Sequence, residues 1–141
     1  SVTGVQTCAL PIWIALDQIN RQIGLLLTRL GDAQNATSVL ESYWTDFRDS
    51  GVTQGCISGV PSIPEDYALP EDFAAFEPDI QTAVNLINTG LQLSRDSFGT
   101  FQRACAAGTL AASVDAGLAT ITTIRDSYTV AEQLLDERAR R

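Results

Sequence analysis

The sequence predicts an all-α fold, a bundle of three long helices, from two observations. Apolar or small residues recur at alternating steps of three and four in three stretches, which is the period of helices packed along a shared seam. A β-strand would instead repeat at every second residue. Beyond residue 12, every proline lies between the first and second stretches or at the start of the second. The three seams are Leu16, Ile19, Ile23, Leu26, Leu30, Ala33, Thr37, Leu40, Trp44 and Phe47; Ile80, Val84, Ile87, Leu91, Ser94, Phe98, Phe101 and Cys105; and Leu110, Val114, Gly117, Ile121, Ile124, Tyr128, Ala131 and Leu135.

The first helix is predicted over residues 13–50. Gly24 and Gly31 each weaken it by about 1 kcal/mol relative to alanine. The apolar rhythm crosses both glycines without losing phase, which favours one helix. The alternative is a break near Gly31 and Asp32 into two shorter helices. Gly51 can adopt the left-handed conformation that commonly ends a helix.

Residues 51–77 are predicted to form a long strap that is not helical, apart from a short turn around residues 71–76. Pro61, Pro64 and Pro70 prevent regular helix through most of it. A flexible linker would not carry so many apolar residues, so we expect an ordered strap in a groove between helices. Its expected anchors are Ile57, Val60, Ile63, Tyr67, Leu69, Phe73 and Phe76.

The second and third helices are predicted over residues 78–107 and 109–138. Pro78 suits the first turn of a helix, and Gly108 suits the residue after its end. Thr109 is then placed to cap the third helix. The Gly-Thr link is so short that these two helices should form an antiparallel hairpin.

The first dozen residues stand apart from this pattern. Val2 to Ile12 read VTGVQTCALPI, which resembles the conceptual translation of a widely used sequencing adapter. The resemblance implies that residues 1–12 are an artefact and not part of the fold; the alternative is a natural short apolar segment. We therefore expect the genuine protein to begin near Trp13, with any secretion signal missing. Residues 13–141 are expected to form a single domain, and Cys8 is left out of the cysteine count.

The two remaining cysteines, Cys56 and Cys105, are predicted to form a disulfide, which suits an oxidising compartment. The bridge would require the first and second helices to run parallel. About 22 residues of strap, spanning roughly 68 Å when extended, could return along a helix of roughly 42 Å. The alternatives are two free thiols in a cytosolic protein and a plain up-down-up bundle.

Composition excludes several function classes. The net charge of −8 disfavours nucleic acid as a partner, because phosphate binding needs a basic face. The chain contains no histidine and no methionine, which removes the commonest general base, metal ligand and haem ligands. Paired carboxylates occur near helix ends and in the strap, where solvated charge is expected. We therefore predict no enzyme activity, no metal and no cofactor. No apolar run approaches the ~20 residues of a membrane span.

A docking or small-ligand site is the one candidate site in the sequence. If the disulfide forms, the aromatic residues at the end of the first helix lie beside those of the second, and nearby arginines could bind a carboxylate. The candidate residues are Tyr43, Trp44, Phe47, Arg48, Arg95, Phe98, Phe101 and Arg103.

The acidic charge, the expected disulfide and the lack of catalytic residue types lead to one functional prediction. We expect a non-enzymatic structural or protein-interaction domain, monomeric, from a secreted or cell-envelope bacterial protein. The first alternative is an extracytoplasmic helical bundle that senses a small ligand, which rests on analogy between folds. The second is a cytosolic coiled-coil assembly domain that uses the same seams between chains.

Overall fold

The computed structural model of the protein describes residues 14–141. Within that range the chain is all-helical, with no β-strand. The helices, which pack together, are α1 (Leu16–Ser50), α2 (Gln54–Ser58), α3 (Phe73–Phe76), α4 (Pro78–Ala107) and α5 (Leu110–Ala139). The adapter-like segment and the expected start at Trp13 lie outside the described residues.

α1 is a single helix of 35 residues that continues through Gly31 and Asp32, so the alternative break does not occur. It ends at Gly51, which has φ of 67° and donates its N–H to the Phe47 carbonyl over 2.9 Å. A left-handed residue at this position satisfies a carbonyl of the last turn that has no partner within the helix.

α4 begins at Pro78 as predicted, and Gly108, with φ of 69°, follows its last residue. α5 follows after Thr109. The prediction that the Thr109 side chain caps α5 is wrong, because it makes no capping hydrogen bond. Its ψ of 22° departs from the extended conformation of a side-chain cap, and its carbonyl instead accepts the Ala112 N–H over 3.2 Å.

The core divides into two clusters. The main cluster consists of Ile19, Ile23, Leu26, Leu30, Ala33, Phe73, Ile80, Ala83, Val84, Ile87, Leu91, Ile124, Tyr128, Ala131 and Leu135. The aromatic cluster consists of Leu40, Trp44, Phe98, Phe101, Ala104, Leu110 and Ile121. Most predicted seam positions are therefore buried. Leu16 is an exception at 57% exposed, since it lies in the first turn of α1 at the edge of the core.

Glycine allows two large aromatic rings to pack against neighbouring helices. A Cβ added to Gly117 of α5 would lie 2.4 Å from Cε2 of Trp44 on α1. A Cβ added to Gly90 of α4 would lie 2.2 Å from Cε1 of Tyr128 on α5. No side chain fits at either place, so these two positions set how closely the helices approach. Gly24, in contrast, has nothing within 4 Å of an added Cβ.

The strap differs from its prediction in its first part. Gln54–Ser58 is helical, so the prediction of a non-helical chain there is wrong. These residues precede the first strap proline and are free to form one turn of helix. The expected anchors Ile57 and Val60 are exposed, by 79% and 44%. The side of α2 that meets the long helices is occupied by Gly55 and Cys56, which leaves Ile57 facing outwards.

The second part of the strap is ordered against the helices. Ile63, Tyr67 and Leu69 pack against the main cluster, and Ile63 also contacts the aromatic cluster. Phe73 of α3 is buried. Phe76, the last of the expected anchors, is half-buried at the end of α3.

Candidate functional site

A disulfide joins Cys56 of α2 to Cys105 in the last turn of α4, with the two Cα atoms 5.7 Å apart. This confirms the pairing predicted from the sequence. Cys56 is exposed and Cys105 is half-buried. An open pocket of about 380 Å³ adjoins the bond; its lining is Phe47, Thr53, Cys56, Cys105, Gly108, Leu110 and Ala111.

The aromatic residues of the candidate docking site lie together at this end of the molecule. The Tyr43 ring centroid is 6.2 Å from that of Phe98 and 5.4 Å from that of Phe101. Trp44 meets Phe101 edge to face at 4.8 Å. Trp44, Phe98 and Phe101 are each 1% exposed, whereas Tyr43 and Phe47 are half-buried. The layer is therefore mostly interior, and only Tyr43 and Phe47 reach the surface.

The three candidate arginines bind separate partners. Arg48 donates to the Asp49 carboxylate over 2.8 Å. Arg95 donates to the Pro64 carbonyl and the Asp66 carboxylate. Arg103 donates to the Thr100 hydroxyl over 3.2 Å. The hydrogen bond with Asp49 raises the pKa of Arg48 above its ordinary value. The three guanidinium groups therefore do not point to one shared position where a ligand could bind.

Four helix side chains hold the second part of the strap, and we call them the clamp: Gln22 and Arg29 of α1, and Asn88 and Arg95 of α4. The Asn88 side-chain amide accepts the Tyr67 N–H and donates to the Tyr67 carbonyl, both over 2.8 Å. An extended chain makes the same two bonds with a neighbouring strand, so Asn88 satisfies a strap backbone that has no strand partner.

Arg29 and Gln22 complete the clamp around the same tyrosine. The Tyr67 hydroxyl hydrogen-bonds to the Gln22 side chain, and Arg29 donates to the Glu65 carbonyl. The Arg29 guanidinium carbon lies 5.2 Å from the centroid of the Tyr67 ring, within the range of a cation–π contact. Most clamp contacts are made to backbone atoms, so they depend on the path of the strap.

An open groove of about 690 Å³ runs between α1 and the strap. Its lining is Leu25, Thr28, Arg29, Asp32, Asn35, Ala36, Val39, Pro61, Ser62, Pro64, Glu65 and Tyr67. This volume is typical of small-molecule sites. None of the eight candidate residues from the sequence lines the groove. The sequence contained no signal for it, because one wall is the strap, whose position beside α1 depends on the tertiary fold.

Titratable groups with shifted pKa values are spread over the molecule. A hydrogen bond from Arg125 lowers the pKa of Glu41, and a hydrogen bond with Glu77 raises the pKa of Arg138. Burial raises the pKa of Tyr128, whose hydroxyl lies 3.3 Å from the buried Ser94 hydroxyl. Glu41 lies between α1 and α5, whereas Tyr128 and Arg138 lie between α4 and α5 and are ten residues apart along α5, roughly 15 Å at 1.5 Å per residue. Within residues 14–141, no group of three or more carboxylate or thiol side chains is placed to hold a metal ion.

One buried donor stands out in the aromatic cluster. The Trp44 indole Nε1 is buried and has no hydrogen-bond partner in the part of the chain that the structure describes. A Cβ on Gly117 would lie 2.6 Å from it, so this edge of the indole lies against α5 at Gly117. A buried donor of this kind costs about 1–3 kcal/mol, which the close fit of the large ring must offset.

None of the helices in residues 14–141 has both the length and the apolar character that a membrane crossing requires. Comparisons of the chain with protein-family models, with curated proteins and with solved structures find no significant match.

Proposed function

We propose that the chain is a non-enzymatic structural or protein-interaction helical domain of a secreted or cell-envelope protein. The observation that carries the proposal is the Cys56–Cys105 disulfide, because such bonds persist in oxidising compartments and are rare in the cytosol. The absence of histidine from the sequence and the scattered positions of the shifted pKa values also favour a role without catalysis.

Disulfide mapping tests the compartment. The protein is purified from its native source with free thiols blocked at lysis, and digested with trypsin. Cleavage at arginine gives peptides 49–95 and 104–125, which carry Cys56 and Cys105. We expect the two peptides to be joined before reduction and separate after it. Blocked thiols on both cysteines in the native material would remove the main support for an extracytoplasmic role.

We further propose that α1, α4 and α5 form one heptad-phased bundle, with α1 parallel to α4 and α4 antiparallel to α5. In support, Cys56 lies just beyond the end of α1 and is bonded to the last turn of α4. At the other end, the Arg138 guanidinium near the end of α5 pairs with Glu77 just before α4. A two-residue link between α4 and α5 also favours a hairpin.

Glycine substitutions test this arrangement. Gly117→Ala and Gly90→Ala place a methyl group in steric clash with an aromatic ring of a neighbouring helix, so each should lower the free energy of unfolding by about 1–3 kcal/mol. The control Gly24→Ala meets no neighbour and should stabilise by up to about 1 kcal/mol. If urea titrations show that the free energy of unfolding changes in the same direction in all three variants, the proposed helix neighbours are contradicted.

The proposed monomer is tested by size-exclusion chromatography with light scattering. A mass near 15.2 kDa supports a domain whose seams are filled within one chain. A concentration-dependent mass of a multiple of that value would favour the alternative, in which the seams join several chains as a coiled coil.

A second candidate function is favoured by the 690 Å³ groove: an extracytoplasmic domain that senses a small ligand. Its polar lining includes Arg29 and Asn35, which could bind a carboxylate or hydroxyl. A thermal-shift screen against small carboxylic and hydroxy acids tests it, because a ligand of the folded state raises the melting temperature. A hit that also stabilises an Arg29→Gln variant equally would place binding elsewhere.

A further inference from the structure

The disulfide holds a part of the chain that has few other contacts. Residues 51–60, which we call the tip, contain α2 and three of the exposed large apolar side chains: Val52, Ile57 and Val60. Gly51 and Val52 donate backbone hydrogen bonds to the last turn of α1. Beyond those bonds and the disulfide, the tip is attached to the helices mainly through Tyr43. The Tyr43 ring covers Gly55, and its hydroxyl donates to the Gly59 carbonyl over 2.9 Å.

The order of the tip is therefore weakly supported by non-covalent contacts. A helix of five residues is too short to be stable by itself, because nucleating a helix is unfavourable. The glycines at 51, 55 and 59 also raise the conformational freedom that ordering must remove. Tyr43, the disulfide and a few backbone hydrogen bonds oppose that freedom.

We infer that the Cys56–Cys105 disulfide is a redox latch for the tip: reduction releases residues 51–60 from the end of α4 and leaves the helices and the clamped part of the strap in place. The second half of this inference rests on the clamp. Asn88 and Arg95 hold the strap from α4, and Gln22 and Arg29 hold it from α1, none of them through the disulfide. The latch does not depend on the proposed compartment.

The bond is open to a reductant. Cys56 is exposed, and the 380 Å³ pocket beside both sulfurs is lined by uncharged residues. A dithiol opens the bond by thiol–disulfide exchange. One thiolate of the dithiol attacks Cys56 Sγ, the bond between the sulfurs breaks, and Cys105 Sγ leaves as a thiolate that takes a proton from water. The second thiol then displaces Cys56, which is protonated in turn, and the dithiol is oxidised to its cyclic disulfide.

Amide hydrogen exchange measured by NMR tests the latch residue by residue. The protein carries Cys8→Ser so that only the bonded pair remains, and it is measured oxidised and after dithiothreitol. The Cys56 N–H bonds to the Thr53 carbonyl over 3.0 Å and the Gly59 N–H to the Gly55 carbonyl over 3.3 Å. Both amides should exchange at least about tenfold faster after reduction, since their protection depends on local opening.

The Tyr67 N–H, bonded to Asn88, serves as the internal control. We expect its exchange, and that of the α4 amides, to change less than about threefold on reduction. Loss of protection at Tyr67 and in the helices would show that the bond holds the whole fold, and unchanged rates at Cys56 and Gly59 would show that it holds nothing. Either result overturns the latch.

Two variants separate the disulfide from Tyr43. Cys56→Ser with Cys105→Ser should reproduce the reduced pattern without reductant. Tyr43→Phe removes only the hydroxyl that binds the Gly59 carbonyl, and in the oxidised protein it should leave the Cys56 amide protected. If Tyr43→Phe opens the tip while the disulfide is intact, the tyrosine and not the disulfide is the latch.

Discussion

The two parts of the connection between α1 and α4 contain the same kinds of apolar residue and use them differently. In the tip, Ile57 is 79% exposed. Six residues later Ile63 packs against both core clusters. The tip is held by a covalent bond, whereas residues 61–70 are held by side chains of α1 and α4.

The difference follows from the backbone. The tip contains three glycines, and residues 61–70 contain three prolines. Proline restricts φ in the unfolded chain, so less conformational entropy is lost when the strap is ordered. A few hydrogen bonds and three apolar side chains then suffice for residues 61–70. The glycine-rich tip loses more entropy and makes fewer contacts, and a disulfide can compensate because it restricts the unfolded state.

Removing the disulfide should have the largest effect on stability. Cys56 and Cys105 are 49 residues apart, for which the chain-entropy argument gives about 4 kcal/mol. The tip regains freedom in the reduced native state, so we expect Cys56→Ser with Cys105→Ser to lower the free energy of unfolding by about 2–4 kcal/mol in urea titrations. A loss under about 0.5 kcal/mol would contradict the chain-entropy argument for this bond.

The sequence predicted the anchors of residues 61–70 but not the exposure of the tip. Ile63, Tyr67 and Leu69 lie between the strap prolines, and they do pack on the core. Ile57 and Val60 carried the same apolar signal. Their exposure depends on a turn of helix whose inner side is taken by Gly55 and Cys56, and that orientation is a tertiary property.

The clamp shows a second limit of sequence reasoning. Asn88 lies beside the second seam, and its residue type is common on the exposed surface of a helix. Its role depends on the position of the Tyr67 backbone, which is 21 residues away in sequence. The seams and the cysteine pair could be predicted because periodicity and residue chemistry are local properties. The clamp, the groove and the two glycine contacts depend on where separate segments meet.

The same substitution, isoleucine to alanine, can be made in the tip at Ile57 and in residues 61–70 at Ile63, which compares the two parts directly. Ile63→Ala removes contacts with both core clusters, and its half-buried position predicts a loss of about 1–3 kcal/mol in the free energy of unfolding. Ile57→Ala should change it by less than about 0.5 kcal/mol, since the side chain is already in solvent. Chemical denaturation of both variants checks the difference, and equal losses would contradict the contrast between tip and strap.

The clamp predicts a somewhat smaller effect for Asn88→Ala. This change leaves the Tyr67 N–H and carbonyl without their partner, which should lower the free energy of unfolding by about 1–2 kcal/mol. Asn85→Ala is the control, since Asn85 is exposed on the same helix and its amide meets only the Gln81 side chain. The amide of Tyr67 should also lose exchange protection in Asn88→Ala alone. Retained protection there would mean that the apolar anchors hold the strap without the clamp.

The ion pair in the clamp should contribute least. The Arg95 and Asp66 side chains are 34% and 55% exposed, and a pair so accessible to water contributes at most about 1 kcal/mol. We expect Asp66→Asn to lower the free energy of unfolding by about 0.5 kcal/mol in low salt and by almost nothing in 1 M NaCl, where charges are screened. Asp72→Asn controls for the change in net charge, because Asp72 is exposed and belongs to none of the ion pairs within residues 14–141.

The salt dependence decides what kind of contact holds the strap. Arg95 also donates to the Pro64 carbonyl over 3.3 Å, and this bond survives in Asp66→Asn. If backbone-directed hydrogen bonds dominate, Arg95→Gln should destabilise more than Asp66→Asn, and the excess should persist in high salt. If the two substitutions lower the free energy of unfolding equally and both losses vanish in high salt, charge alone accounts for the contribution of Arg95. The clamp then consists of Asn88 and the two side chains from α1.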